Sequence, residues 1–119
     1  MKDAVIDNII RSQAVEDYLD YFENKDFESI ASLFSEDCVL IDWNVGTVSS
    51  KEEVMKVFAS IFSSIANIEI NIHNIHEDFS GTLICEMTLI ADGEKLLVAD
   101  IFEFDDNDQI RSLRAYRGN

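Results

Sequence analysis

The chain has 119 residues, 47% of them hydrophobic and 10% aromatic, which is one domain's worth of sequence with enough apolar material for a single core. Acidic residues outnumber basic ones by 24 to 9, giving a net charge of −15, and the few Lys and Arg are scattered or confined to the last predicted strand. That balance excludes a nucleic-acid or anionic-membrane partner, since both require a basic stripe, and the apolar content excludes a disordered acidic tail.

In chain order, Val5, Ile6, Ile9, Ile10, Val15, Tyr18, Leu19 and Phe22 recur at three- and four-residue steps between Asp7, Arg11, Glu16 and Asp20. This is the pattern of a long amphipathic helix. Asn24-Lys25 breaks it, and Asp26 is placed to cap a short second helix carrying Phe27, Ile30, Ala31, Leu33 and Phe34. Val39-Leu40-Ile41 predicts a brief strand ending at Asp42, and the polar stretch Asn44 to Ser50 reads as a loop. Ser50-x-x-Glu53 forms a capping box for a third helix, with Val54, Val57, Phe58, Ile61, Phe62 and Ile65 on one face.

The period then changes to two. Ile68, Ile70 and Ile72 alternate with Glu69, Asn71 and His73, and Ile75 falls out of phase, which predicts a bulge or bend. Thr82 to Ala91 and Lys95 to Phe104 are strands joined by Asp92-Gly93, the strongest hairpin signal in the chain. The acidic turn Asp105 to Asp108, whose composition alone suggests a calcium loop, lacks the spaced ligands of one and reads as a solvated turn before the last strand, Ile110 to Arg117. Three helices followed by long antiparallel strands predict an α+β domain over residues 1–119, with the helices on one face of a curved sheet.

Leu96, Val98, Phe102 and Phe104 share one face of the third long strand, while Leu97, Ala99 and Ile101 share the other. Both sides are apolar and no sequence is left to build another layer, so a homodimer through the outer sheet face is expected. Cys38 and Cys85 read as free buried thiols in a reducing compartment. The acidic start of the chain does not suit a secretory signal, and the uncharged stretch Val57 to Ile68 is too short and too polar to span a bilayer, so a cytoplasmic protein is expected.

The position that breaks its own pattern is Asp100. Period-two counting sets it beside Val98 and Phe102 on an apolar face, where burial favours the protonated acid. It could instead pair with Arg114 across the hairpin or lie in water near the sheet end. Asp42 ends its strand where a carboxylate can look between helices and sheet, or it closes an Asx turn beside Asn44 and Gly46. Tyr18 lies on the core stripe of the first helix, where its hydroxyl needs a partner if buried. His73 and His76 fall on opposite strand faces unless the bulge intervenes, which argues against a metal pair, although either could act as an acid or base.

Taken together, the unbroken segment from Tyr18 through Asp26, Phe34 and Asp37 to Asp42, and the run Asp100-Ile-Phe-Glu-Phe104 with Ile110 to Tyr116 after it, resemble the SnoaL-like or nuclear transport factor two-like superfamily. Within it the chain looks most like the ketosteroid isomerases. The resemblance implies a cystatin-like cone, three N-terminal helices on a curved, mainly antiparallel sheet. It also implies a cofactor-free and metal-free isomerase that shifts a double bond into conjugation with a ketone, with Asp42 as general base and Tyr18 plus a protonated Asp100 as oxyanion hole. An apolar small molecule would be the substrate, in a pocket lined by Trp43, Phe58, Phe62, Val98, Phe102, Leu113 and Arg117. Trp43 replaces the family's proline, Phe58 stands where many isomerases have a tyrosine, and Arg117 replaces an apolar or aromatic residue. Turned inward, Arg117 would admit an acidic substrate; turned outward, the reading favoured here, it is a surface charge. Another SnoaL-like enzyme, a polyketide cyclase, dehydratase or hydrolase, or a non-catalytic binding dimer of the same fold, are the alternatives.

Overall fold

Alternation along the strands decides which side chains face the helices, and the sheet order decides which of them meet. The computed structural model describes residues 4–119, with side chains described from residue 8 onward. The elements are α1 (Ala4–Glu23), α2 (Phe27–Leu33), β1 (Phe34–Asp42), β2 (Gly46–Ser49), α3 (Lys51–Ser64), β3 (Ile68–Glu77), β4 (Leu83–Ala91), β5 (Glu94–Phe104) and β6 (Ile110–Arg117). All six strands form one sheet in the order β2-β1-β6-β5-β4-β3. β1 and β6 run parallel and every other pair is antiparallel, so the mainly antiparallel sheet contains one parallel pair, next to the β2 edge. The chain builds one edge, crosses on α3 to the other, and closes the gap when β6 enters between β1 and β5.

The helices cover the inner face. Val15, Leu19 and Phe22 of α1, Ile30 of α2, and Val54 and Phe58 of α3 are buried against Phe34, Cys38, Leu83, Cys85, Phe102 and Leu113 of the sheet. Both cysteines are free and buried, as expected. Ile9 and Ile10, assigned to the core stripe, are instead 64% and 46% exposed. The contact at that level of α1 is made by Arg11, whose guanidinium binds Asp108 at 2.8 Å and the carbonyls of Gly81 and Asp105, and stacks over Phe104. The turn Asp105 to Asp108 is thus an anchored turn and not merely a solvated one. Val5 and Ile6 of the predicted stripe lie outside the residues whose side chains are described.

Local chemistry sets the remaining boundaries. Asp26 caps α2 by accepting from the Ser29 amide, but the helix ends at Leu33 and Phe34 opens β1, a longer strand than the three apolar residues suggested. β2 takes up part of the predicted loop: Gly46-Thr47-Val48-Ser49 carries one large apolar side chain, which is all an edge strand needs, and it pairs through Thr47 with Ile41 and Val48 with Leu40. Half of the capping box forms: Ser50 Oγ accepts from the Glu53 amide, while the Ser50 amide donates to the Cys38 carbonyl and Glu53 turns to Lys56. Asp92 and Gly93 take φ of 49° and 86°, the two positive values a type I′ hairpin requires, and the bulge predicted by Ile75 falls between Ile72 and Asn74.

Gly81 has φ of +83° and sits so close to Arg11 that a Cβ there would lie 2.0 Å from Nη1. Arg11 therefore ties α1 to both sheet turns at once. Its side chain is 11% exposed and that of Asp108 13%, so removing one partner leaves a largely buried charge. Arg11→Met should destabilise the fold by about 2–3 kcal/mol, read from chemical denaturation at neutral pH; a loss below about 0.5 kcal/mol would show the anchor to be dispensable.

Candidate active site

Strand register places the polar groups on one row. Asp42 of β1 is opposite Ala115 of β6, which is opposite Asp100 of β5, which is opposite Cys85 of β4. All four face the helices. The two carboxyl-bearing strands are two spacings apart, about 10 Å, and the small Ala115 side chain between them leaves the floor open. Above this row Tyr18 descends from α1.

Tyr18 is 4% exposed, with its ring edge-on to Phe34, Phe58 and Phe102 at centroid distances of 6.1, 6.0 and 5.4 Å. Phe58 fills its place with a ring and no hydroxyl, so it supports Tyr18 by packing and extends no hydrogen-bond chain. Among the described residues neither the Tyr18 hydroxyl nor the Asp100 carboxyl has a hydrogen-bond partner in the chain, yet no buried side-chain polar atom is left wholly enclosed without one. Both open onto a cavity of about 550 Å³.

Asp100 is 6% exposed. Arg114, the alternative partner, lies on the outer face opposite Ile101 and pairs with Glu103 at 3.3 Å. With no cation beside it, burial, and after that the negative charge of Asp42, push the Asp100 carboxyl up from 3.8 to about 7. Burial, then Asp100 and Asp42, hold the Tyr18 hydroxyl well above its ordinary range, so it remains a proton donor. Cys85 is pushed up to about 12 by burial and the same carboxyl, which makes it an inert thiol.

Asp42 satisfies both sequence readings. Its Oδ1 accepts from the Asn44 and Val45 amides at 2.7 and 3.3 Å, closing the Asx turn into β2, while the carboxylate lines the cavity and Oδ2 has no partner among the described residues. Trp43 follows it at the mouth and is 41% exposed.

Tyr18, Asp42, Trp43, Phe58, Val98, Asp100, Leu113 and Arg117 all line this cavity, so Arg117 turns inward, against the favoured outward reading. Two assigned lining residues do not reach it. Phe102 sits one pleat deeper than Asp100, fully buried behind Tyr18, and Phe62 packs on Phe22 and Phe58 while Ile61 and Ile65 of the same helix end take the wall. Sequence reasoning missed Ala115 and Glu94. Pairing β5 and β6 back from the acidic turn would have found Ala115, and counting by twos back from Leu96 puts Glu94 on the same face, one residue before the predicted start of the strand at Lys95. The bulge brings both histidines to the outer face, where His76 meets Glu86 at 2.6 Å and His73 meets Thr88 at 2.8 Å. No group of three metal-binding side chains exists among the described residues.

Because the folded chain keeps a proton on Asp100 that the unfolded chain releases between about pH 4 and pH 7, raising the pH through that window favours unfolding. The stability of Asp100→Asn relative to the parent should therefore rise by up to about 4 kcal/mol across it and level off above. Melting temperatures across that pH range check this; a constant difference would mean Asp100 is solvated or paired.

Residues 15–113 match the SnoaL-like domain model, and the chain belongs to that family. No curated protein matches it in sequence. Among solved structures it is similar to an epoxide hydrolase of M. tuberculosis described as LEH-like, at 23% identity over 92% of this chain and 84% of that one, with a TM-score of 0.76. It is also similar to a protein with a cystatin-like fold from Methylobium petroleophilum, at 16% identity, 94% and 78% coverage and a TM-score of 0.81. A ketosteroid isomerase-like protein from Kribbella flavida matches at 12% identity, 92% and 78% coverage and a TM-score of 0.79. At these identities the likeness establishes the cystatin-like α+β fold.

Proposed function

We propose that this SnoaL-like cavity is the active site of a proton-transfer isomerase of ketosteroid isomerase type. Asp42, as carboxylate, takes a proton from the carbon between a ketone and an isolated double bond. The electron pair moves onto the carbonyl oxygen, Tyr18 and protonated Asp100 donate hydrogen bonds to the resulting enolate, and Asp42 returns the proton two carbons along. The observation that carries this reading is the Asp100 carboxyl, buried beside the Tyr18 hydroxyl without a counter-charge, in one row with Asp42. Two donors fixed in an apolar-walled pocket stabilise charge that develops there far better than water does. The apolar walls, among them Leu40, Met87, Val98 and Leu113, suit a flat ketone, and a cavity of about 550 Å³ is of the size that holds a small organic ligand.

A second reading draws on the same pair. The epoxide hydrolase of M. tuberculosis shares the fold, and the outer oxygen of Asp42 could activate a water at the mouth while Asp100 protonates an epoxide oxygen, giving a diol. A third, a non-catalytic binding dimer, needs no base.

A steroid bearing a ketone and a non-conjugated double bond separates them, because the isomerase produces the absorbance of a conjugated enone. Asp42→Asn should lower turnover by at least ~10² while leaving the fold and ligand binding intact. In the parent, kcat/KM should fall as the pH rises through about 7, where Asp100 loses its proton, and Asp100→Asn should lack that limb. Enone formation that survives Asp42→Asn would remove Asp42 as the base; diol formation from an epoxide, without isomerisation, would favour the second reading.

We further propose a homodimer through the outer sheet face, in a reducing compartment that suits the two free thiols. Leu97 and Tyr116 are 48% and 51% exposed there, beside half-buried Ile84, Ala99 and Ile101. No described helix is long and apolar enough to cross a membrane, so that route to covering the face is not offered by the helices. Light scattering at micromolar concentration should give twice the chain mass, and Leu97→Glu should give the single mass; a parent that is already monomeric rejects the pairing.

A further inference from the structure

Among the described residues, Arg117 is the one cation that lines the cavity. It follows Ala115 by one inward-facing step on β6, opposite Val98, so its Cα lies about 7 Å from the row of the two carboxyl groups. From there its side chain runs away from them. Nη2 approaches Glu94 Oε1 at 3.5 Å, and Glu94 is six residues before Asp100 on β5, about 20 Å along the strand. The guanidinium is thus held toward the rim while Tyr18 and Asp100 occupy the deep end.

What fixes it there is the end of β6. The Gly118 amide donates to the Leu97 carbonyl at 2.8 Å, and Asn119 Oδ1 accepts from the Leu97 amide at 2.9 Å. The main-chain oxygen of Asn119 then accepts from Arg117 Nε at 2.5 Å. A guanidinium has five N–H donors in a rigid fork. Here Nε is committed, Nη2 has one long contact, and Nη1 has no partner among the described residues. The nearby acids do not close it off. The Asp92 carboxylate is engaged by the Ala66 and Asn67 amides, and the Glu94 side chain is 69% exposed, so its pairing is screened.

We infer that Arg117 is a specificity-determining residue that receives a carboxylate or similar anionic group at the end of the ligand remote from its carbonyl. This rests on the reading of Tyr18 and Asp100 as the end that receives the carbonyl oxygen. The ligand is then two-headed: a ketone oxygen at the floor, a flat apolar body along Leu40, Met87, Leu96 and Val98, and an anion at the rim.

Rigid phenols that mimic the enolate test both ends. Calorimetric titration compares 2-naphthol with 6-hydroxy-2-naphthoate, and 4-phenylphenol with 4′-hydroxybiphenyl-4-carboxylate, at low ionic strength and below about pH 7, where Asp100 holds its proton. In at least one pair the carboxylate should bind about five- to tenfold tighter than its parent phenol. Arg117→Gln should abolish that gain, read as the ratio of the two affinities within the same variant, Glu94→Gln should enlarge it, and added salt should reduce it. No gain in either pair, or a gain that persists in Arg117→Gln, overturns the assignment. Failure of the deeper reading looks different: the parent phenols would bind equally well to Tyr18→Phe and to Asp100→Asn while the Arg117-dependent gain remained. If none of the four compounds binds, both fall.

Discussion

A carboxyl group on the inner face of a central strand can be solvated, paired or protonated. Around Asp100 the fold withholds the first two. Alternation fixes the direction of its side chain, since turning it outward would bring Leu96, Val98, Phe102 and Phe104 out with it. Of the arginines on the adjoining strand, Arg114 is committed by the same alternation to the opposite face, and Arg117, on the inner face, reaches away from Asp100 toward Glu94. What remains is an acid in an apolar wall that holds its proton up to about pH 7, and the cavity, the row with Asp42 and the high proton affinity of Tyr18 are arranged around that fact.

Keeping such a group costs stability, and the cavity costs more by removing packing from the middle of the domain. The fold offsets both at its ends. At the floor, Phe34, Phe58 and Phe102 pack edge-on against the ring of Tyr18. At the turn end, Arg11 joins α1 to two loops through one guanidinium. At the mouth, Asp92 does the corresponding work for the α3 to β3 junction by accepting two amides while its own backbone shapes the hairpin. The middle is left open between two tied ends, which is what a ligand site in a small domain requires.

The sequence made the inner face legible because period two is strict where one side is buried, so the placement of Asp100 follows from Val98 and Phe102 alone. The α3 stripe and the Asp92-Gly93 turn were legible for equally local reasons. The misreadings share a cause, which is that they depend on what lies across the fold. Ile9 and Ile10 fit the helical stripe, but Arg11 holds that end of α1. β2 has too few apolar side chains to announce itself and exists because β1 offers an edge. Phe62 and Phe102 satisfy the pattern of pocket residues, yet one is turned around its helix onto Phe22 and Phe58, between the wall residues Ile61 and Ile65, and the other lies a pleat below the wall. Arg117 is the clearest case: its direction is set by β6 pairing and its reach by Asn119 and Glu94, partners distant from it in pattern.

Acidity itself is unevenly distributed, and this bears on the outer face. On β4, β5 and β6 that face carries Glu86 and Glu103 against Lys95, Arg111 and Arg114, although acids outnumber bases 24 to 9 in the whole chain. Glu103 is contacted by Arg111 and Arg114 together, and Glu86 by His76. Charges farther than about 8 Å apart are largely screened at physiological salt, so two copies approaching through this face meet its local balance and not the net charge of −15. Among the described residues this locally balanced, apolar face is therefore one on which the net charge does little to oppose self-association, and pairing through it would leave the mouth of the cavity, on the helix side, uncovered.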